Sequence, residues 1–164
     1  MHVPFWLNLL AVVSLGIAGL CCGIIVADIL RGNRQKMWIM NVVWPVTALY
    51  AGPLALASYF SVGRLATVRH RQAVNGGEAD PPEKPFWQAV GLAATHCGAG
   101  CTLGDLVAEW ALFVFPLTFF GRPIFASWGI DYLVAFSLGI AFQYFTIVPM
   151  RGLSPVRGII ASLK

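Results

Sequence analysis

The sequence predicts an all-α protein, a polytopic transmembrane helix bundle of about four spans forming one membrane domain over residues 1–164. Three observations point there. Hydrophobic residues fill 58% of the positions and charged residues only 11%, against about 25% charged in a soluble domain. The apolar residues come in runs long enough to cross a ~30 Å hydrocarbon core. The Lys and Arg residues gather between those runs, as they do in the loops that flank membrane spans.

The first span is expected over about residues 4–30. Trp6 is placed to anchor one end, and Arg31, Arg34 and Lys36 stop the run. No Lys or Arg precedes it, and it exceeds the ~7–15-residue core of a secretory signal, so it reads as a retained span. The second span is expected over 37–60, with Trp38 and Trp44 near its start and Tyr59 at its end. Pro45 and Pro53 should kink it. Residues 61–85 form a polar loop. Its first half is basic (Arg64, Arg69, His70, Arg71) and its second half is rich in turn formers. The basic half reads either as an ordinary topology-setting loop or as a contact for anionic lipid headgroups.

As one helix, residues 86–120 would be about 50 Å long, more than a bilayer core needs. An interfacial start at Phe86-Trp87 followed by a third span over 93–115 resolves the excess. This third helix is glycine-rich. Gly98, Gly100 and Gly104 permit either a local break or close helix contact, and Gly100-x-x-x-Gly104 fits the small-residue packing pattern. A fourth span is expected over 128–148, after the turn Gly121-Arg122-Pro123. A basic, partly apolar tail over 151–164 is suited to the membrane surface. Four crossings place Arg64, Arg69, Arg71, Lys84, Arg151, Arg157 and Lys164 on one side and Arg31, Arg34, Lys36 and Arg122 on the other. That balance predicts both termini cytoplasmic.

Several chemistries are excluded. Nucleic-acid binding needs a basic stripe with interleaved aromatics on a soluble face, and none is present. There is no Gly-x-x-x-x-Gly-Lys phosphate loop and no serine nucleophile elbow. Haem has no Cys-x-x-Cys-His attachment site.

The residues with chemical potential are acids and thiols in apolar surroundings. Asp28, Asp105, Glu109 and Asp131 fall in or beside expected spans, where an ionised group costs at least ~2.5–3.5 kcal/mol. No Lys or Arg shares those stretches, so their counter-charge must be a proton, a metal ion or a basic group elsewhere. Positions 97, 101, 105 and 109 drift only ~40° per step around a helix. Cys97, Cys101, Asp105 and Glu109 therefore make one shallow spiral. His96 lies about 100° from Cys97. A thiolate–imidazole cluster of Cys97, Cys101 and His96 suits copper(I) or zinc, with Asp105 and Glu109 as cation or proton partners. Cys21, Cys22 and Asp28 are possible additions from the first span. The plainer readings are that the cysteines pack as small hydrophobes, that Asp28 pairs with Arg31 at i+3, and that Asp131 favours a helix dipole near the start of span four. A disulfide between Cys97 and Cys101 needs a broken helix: i and i+4 Cβ atoms stand ~5–6 Å apart where a disulfide wants about 3.5–4.5 Å.

The run Ala94-Thr95-His96-Cys97-Gly98-Ala99-Gly100-Cys101-Thr102-Leu103-Gly104-Asp105, followed by Ala108-Glu109-Trp110, resembles the signature of an uncharacterised prokaryotic integral-membrane family, a domain of unknown function. Met150-Arg151-Gly152-Leu153 is similar to it too. Some members of that family are labelled copper oxidase, and members continue into another hydrophobic segment. The resemblance implies a multi-pass protein of the bacterial inner membrane and adds weight to copper. The expected function is therefore binding or passing a soft metal cation, copper(I) above zinc. The alternatives are an accessory or assembly subunit of a larger membrane complex or homo-oligomer, and a membrane thiol–disulfide carrier.

Overall fold

The computed structural model describes residues 4–75 and 85–162. The turn-rich half of the expected loop, with Lys84, and the final Lys164 lie outside the described residues. Seven α-helices are present among them: α1 Phe5–Leu30, α2 Met40–Ala51, α3 Pro53–Ser58, α4 Val68–Asn75, α5 Phe86–Val114, α6 Pro123–Arg151 and α7 Pro155–Ser162. A π turn (Tyr59–Gly63) and a 3-10 turn (Arg64–Ala66) join α3 to α4. Three helices are long and apolar enough to cross a membrane: Phe5–Leu30, Phe86–Val114 and Pro123–Pro149. The chain is a multi-pass membrane protein whose environment is a lipid bilayer. It divides into two compact units, Met1–Leu92 and Ala93–Lys164.

The first unit departs from expectation at its second apolar segment. Residues 37–60 are not one span. α2 has 12 residues, about 18 Å of helix, roughly half a hydrocarbon core. It stops at Gly52, whose φ of 52° and ψ of −125° suit a residue without a Cβ. Pro53 then opens α3, a position where proline's missing N–H costs nothing. The chain turns back and is stitched to where the segment began. The Gln35 Nε2 group donates to the Gly63 carbonyl at 3.0 Å. The Lys36 N–H donates to Ala66 O at 3.4 Å, and the Val68 N–H to Arg34 O at 2.9 Å. A segment whose two ends meet enters and leaves at the same end of α1, so it is a re-entrant hairpin rather than a crossing. Arg34 and Lys36 consequently share that end with Arg64 and Arg69, and the basic-residue count based on four crossings no longer applies.

Apolar packing holds the hairpin against α1. Ile25 of α1, Val43 of α2 and Tyr59 are fully buried. The Trp44 ring meets Tyr59 edge-on, with centroids 5.6 Å apart. Trp44 also lies over Gly63, where an added Cβ would come within 2.7 Å of the indole.

In the second unit α5 runs unbroken through all of its glycines, and residues 86–92 continue the same helix rather than forming a separate interfacial piece. Of the two alternatives for the glycines, a local break or close contact, the structure shows close contact. Ala99, Gly100, Gly104 and Ala108 are buried along α5, and Ala126 and Phe142 are buried on α6. α6 begins at Pro123, five residues before the expected start, after a turn in which Phe120 and Gly121 adopt φ of 52° and 72°. It ends at left-handed Gly152. The tail then forms α7, and Gly158 packs against Val148 and Tyr144 of α6. The tail thus folds back on the preceding helix.

Candidate functional site

α5 carries the expected stripe, and its continuity decides which way each side chain faces. Cys97, Cys101, Asp105 and Glu109 are all exposed, along a strip that runs beside the buried line of Gly100, Gly104 and Ala108. The Cys97 and Cys101 thiols stand one helical turn apart. His96, about one-quarter turn away, is half-buried. Its Nδ1 lies 3.4 Å from the Thr146 hydroxyl on α6. The structure thus leaves the two thiols exposed one turn apart and holds the imidazole toward α6 instead. All four cysteines are free, Cys21 buried and Cys22 half-buried in α1. Among the described residues, no three His, Cys, Asp or Glu side chains lie close enough together to hold an ion.

Lower on the stripe, Glu109 has a partner that spacing along one helix did not reveal. The Ser127 hydroxyl on α6 lies 3.2 Å from Glu109 Oε1 and 3.1 Å from Asp131 Oδ2. A hydroxyl carries one proton and donates to one carboxylate at a time. The other oxygen of Asp131, Oδ1, is buried without a hydrogen-bond partner. Because α6 starts at Pro123, Asp131 sits two turns inside the helix. The macrodipole effect fades within the first turn, so the dipole reading of Asp131 gives way to this carboxylate–hydroxyl–carboxylate contact. Asp105 stands beside Cys101.

The most fully satisfied polar group is one the sequence placed only loosely. Asp28 is buried in the last turn of α1. It accepts from Asn33 Nδ2 at 3.0 Å and from the Tyr59 hydroxyl at 2.9 Å, and it pairs with the Arg64 guanidinium at 3.2 Å. Arg31, the partner expected at i+3, is exposed. Burial and the adjacent carboxylate push the Tyr59 hydroxyl well above the usual phenol pKa, which keeps it a donor. No local pattern signalled this cluster, because the re-entrant hairpin is what carries Tyr59 and Arg64 to α1. It supplies the counter-charge that Asp28 lacked within its own span, so Asp28 is accounted for without a metal.

No curated protein and no solved structure matches the chain. Residues 86–164, which hold α5, α6 and α7 together with the thiol pair and the Glu109–Ser127–Asp131 contact, match the family described as a domain of unknown function (DUF4396).

Proposed function

We propose that this chain is a small membrane protein that binds a soft cation, copper(I) the best fit, on the paired thiols of Cys97 and Cys101. The supporting observation is that these two thiols stand one turn apart, both exposed, on an unbroken helix. Thiolates select copper(I) or zinc over hard cations, and two sulfurs suffice for copper(I). A third ligand, where the ion takes one, would have to come from another copy or a partner chain. His96 stays with Thr146 and is left out of the pair. Glu109 and Asp131, bridged by one hydroxyl, are suited to share a proton or cation that accompanies the metal. The unbroken helix disfavours a thiol–disulfide carrier, since i and i+4 Cβ atoms stand too far apart for an unstrained bridge.

The test is metal analysis of the full chain purified under reducing conditions after exposure to copper(I). Retained copper is expected to fall to background in the Cys97→Ser/Cys101→Ser variant and to persist in Cys21→Ser/Cys22→Ser. Unchanged copper in the first variant refutes the site. Both replaced side chains are exposed, so the fold is expected to survive.

A second reading is favoured by the exposed acids. Carboxylates facing acyl chains cost at least ~2.5–3.5 kcal/mol each, so Asp105 and Glu109 call for a covering surface. This supports an accessory role in a larger membrane assembly or a homo-oligomer. Gentle-detergent purification separates the cases, since a chain that migrates alone argues against a stable complex.

The hairpin also supports an orientation for α1. Arg31, Arg34, Lys36, Arg64 and Arg69 gather at its C-terminal end. The positive-inside rule then puts that end in the cytoplasm. A phosphatase reporter that works only outside the cytoplasm is expected to be active when fused before α1. An inactive fusion reverses the assignment.

A further inference from the structure

At the basic end of the first unit lies an open cleft of about 530 Å³. Arg64, Thr67, Arg69 and His70 form its polar wall, and Phe60 and Leu65 its apolar one. No acidic side chain lines it among the described residues. Asp28, behind the wall, holds Asn33 and Arg64 of the lining, and Arg64 keeps nearly half of its side chain exposed (45%) despite that pair. The guanidinium also sits over the Phe60 ring, 5.5 Å from its centroid. Arg64 is therefore held on two sides with donors to spare. Arg69 and His70 stand exposed on α4. The backbone beneath them is tied down, since the Thr67 hydroxyl donates to Arg64 O at 2.8 Å and accepts from the His70 N–H at 3.3 Å.

We infer that this cleft binds a phosphate group, that of an anionic lipid headgroup. The planar fork of arginine matches phosphate oxygens two at a time. Arg69 and His70 leave the cleft with donors not matched by any lining acid. The lipid source follows from position. The cleft adjoins the end of α1 through Arg34 and Val68, at the depth where a span meets the headgroups. Phe60 and Leu65 are 41% and 55% exposed, an apolar flank beside the cations that suits the boundary between headgroup and acyl chain. A soluble phosphate makes no use of that flank.

The experiment uses the full chain in vesicles of phosphatidylcholine and phosphatidylglycerol in equal amounts. The protein is released into mild detergent and its retained lipids are counted by native mass spectrometry. Phosphatidylglycerol is expected to be retained in preference to phosphatidylcholine. The Arg69→Gln/His70→Gln variant keeps Arg64 on Asp28 and is expected to lose at least about fivefold of that preference, the share of the one arginine removed. An undiminished preference in the variant, or none in the unaltered protein, overturns the site. Displacement of the retained lipid by millimolar inorganic phosphate assigns the same chemistry to a soluble anion and overturns the lipid assignment.

Discussion

A single methyl group at Gly104 is expected to force α5 and α6 apart, while the same change at Gly100 leaves them together. The two glycines look equivalent in the Gly-x-x-x-Gly pattern. In the structure they are not. A Cβ on Gly104 would come within 2.5 Å of Ala135 Cα, 2.8 Å of its nitrogen and 2.9 Å of its Cβ. Two of those three atoms are backbone and cannot swing aside, so the helices must separate. A Cβ on Gly100 would meet Gly139 Cα at 3.5 Å and the Phe142 ring at 3.7 Å, ordinary van der Waals contact. Gly104→Ala is expected to cost about 1–3 kcal/mol through overpacking. Gly100→Ala is expected to be neutral or stabilising by up to about 1 kcal/mol through helix propensity. Unfolding midpoints of the two variants in detergent micelles check this, and equal losses would show that the helices meet in a different register. The consequence reaches the chemistry, since only this register sets Ser127 between Glu109 and Asp131.

Asp28→Ala is the second substitution with a large expected effect. It removes the acceptor for two buried donors, Asn33 Nδ2 and the Tyr59 hydroxyl. Each stranded donor costs about 1–3 kcal/mol. The Arg64 charge adds less, because its side chain is 45% exposed and water re-solvates it. A loss of about 3 kcal/mol or more follows, against about 1 kcal/mol for Tyr59→Phe, which removes one hydrogen bond. Arg31→Ala is expected to change nothing measurable, because Arg31 is exposed and Arg64 is the partner. A double-mutant cycle between Asp28 and Arg64 isolates the pair. Coupling to Arg31 instead would restore the i+3 pairing and remove the reason for the hairpin's return to α1.

The sequence showed some features clearly because they are local. α1 was legible as a span because its apolar run is unbroken and a basic cluster ends it. The stripe of Cys97, Cys101, Asp105 and Glu109 followed from spacing alone, since any regular helix aligns residues four apart. Pro45 and Pro53 announced a disturbance in the second apolar segment. Proline in an apolar run signals a kink more readily than a reversal, and the turning residue was the glycine between them. The glycines of α5 were ambiguous for a similar reason. A residue without a Cβ permits both a bend and a close approach, and only the neighbour on α6 selects one.

Composition, hydropathy and four-residue spacing were enough to establish a helical membrane protein with acids and thiols ranked along one helix, because each depends on residues within a turn or two of one another. The fold of the distant parts settled the rest. It returned residues 63–68 to residues 34–36, gave Asp28 a tyrosine 31 positions along the chain, turned His96 toward Thr146, and made Gly104 rather than Gly100 the point of closest approach. Those pairings depend on where a chain reverses and on which helix face meets which. The free energy that decides them comes from contacts between residues that no short window contains together.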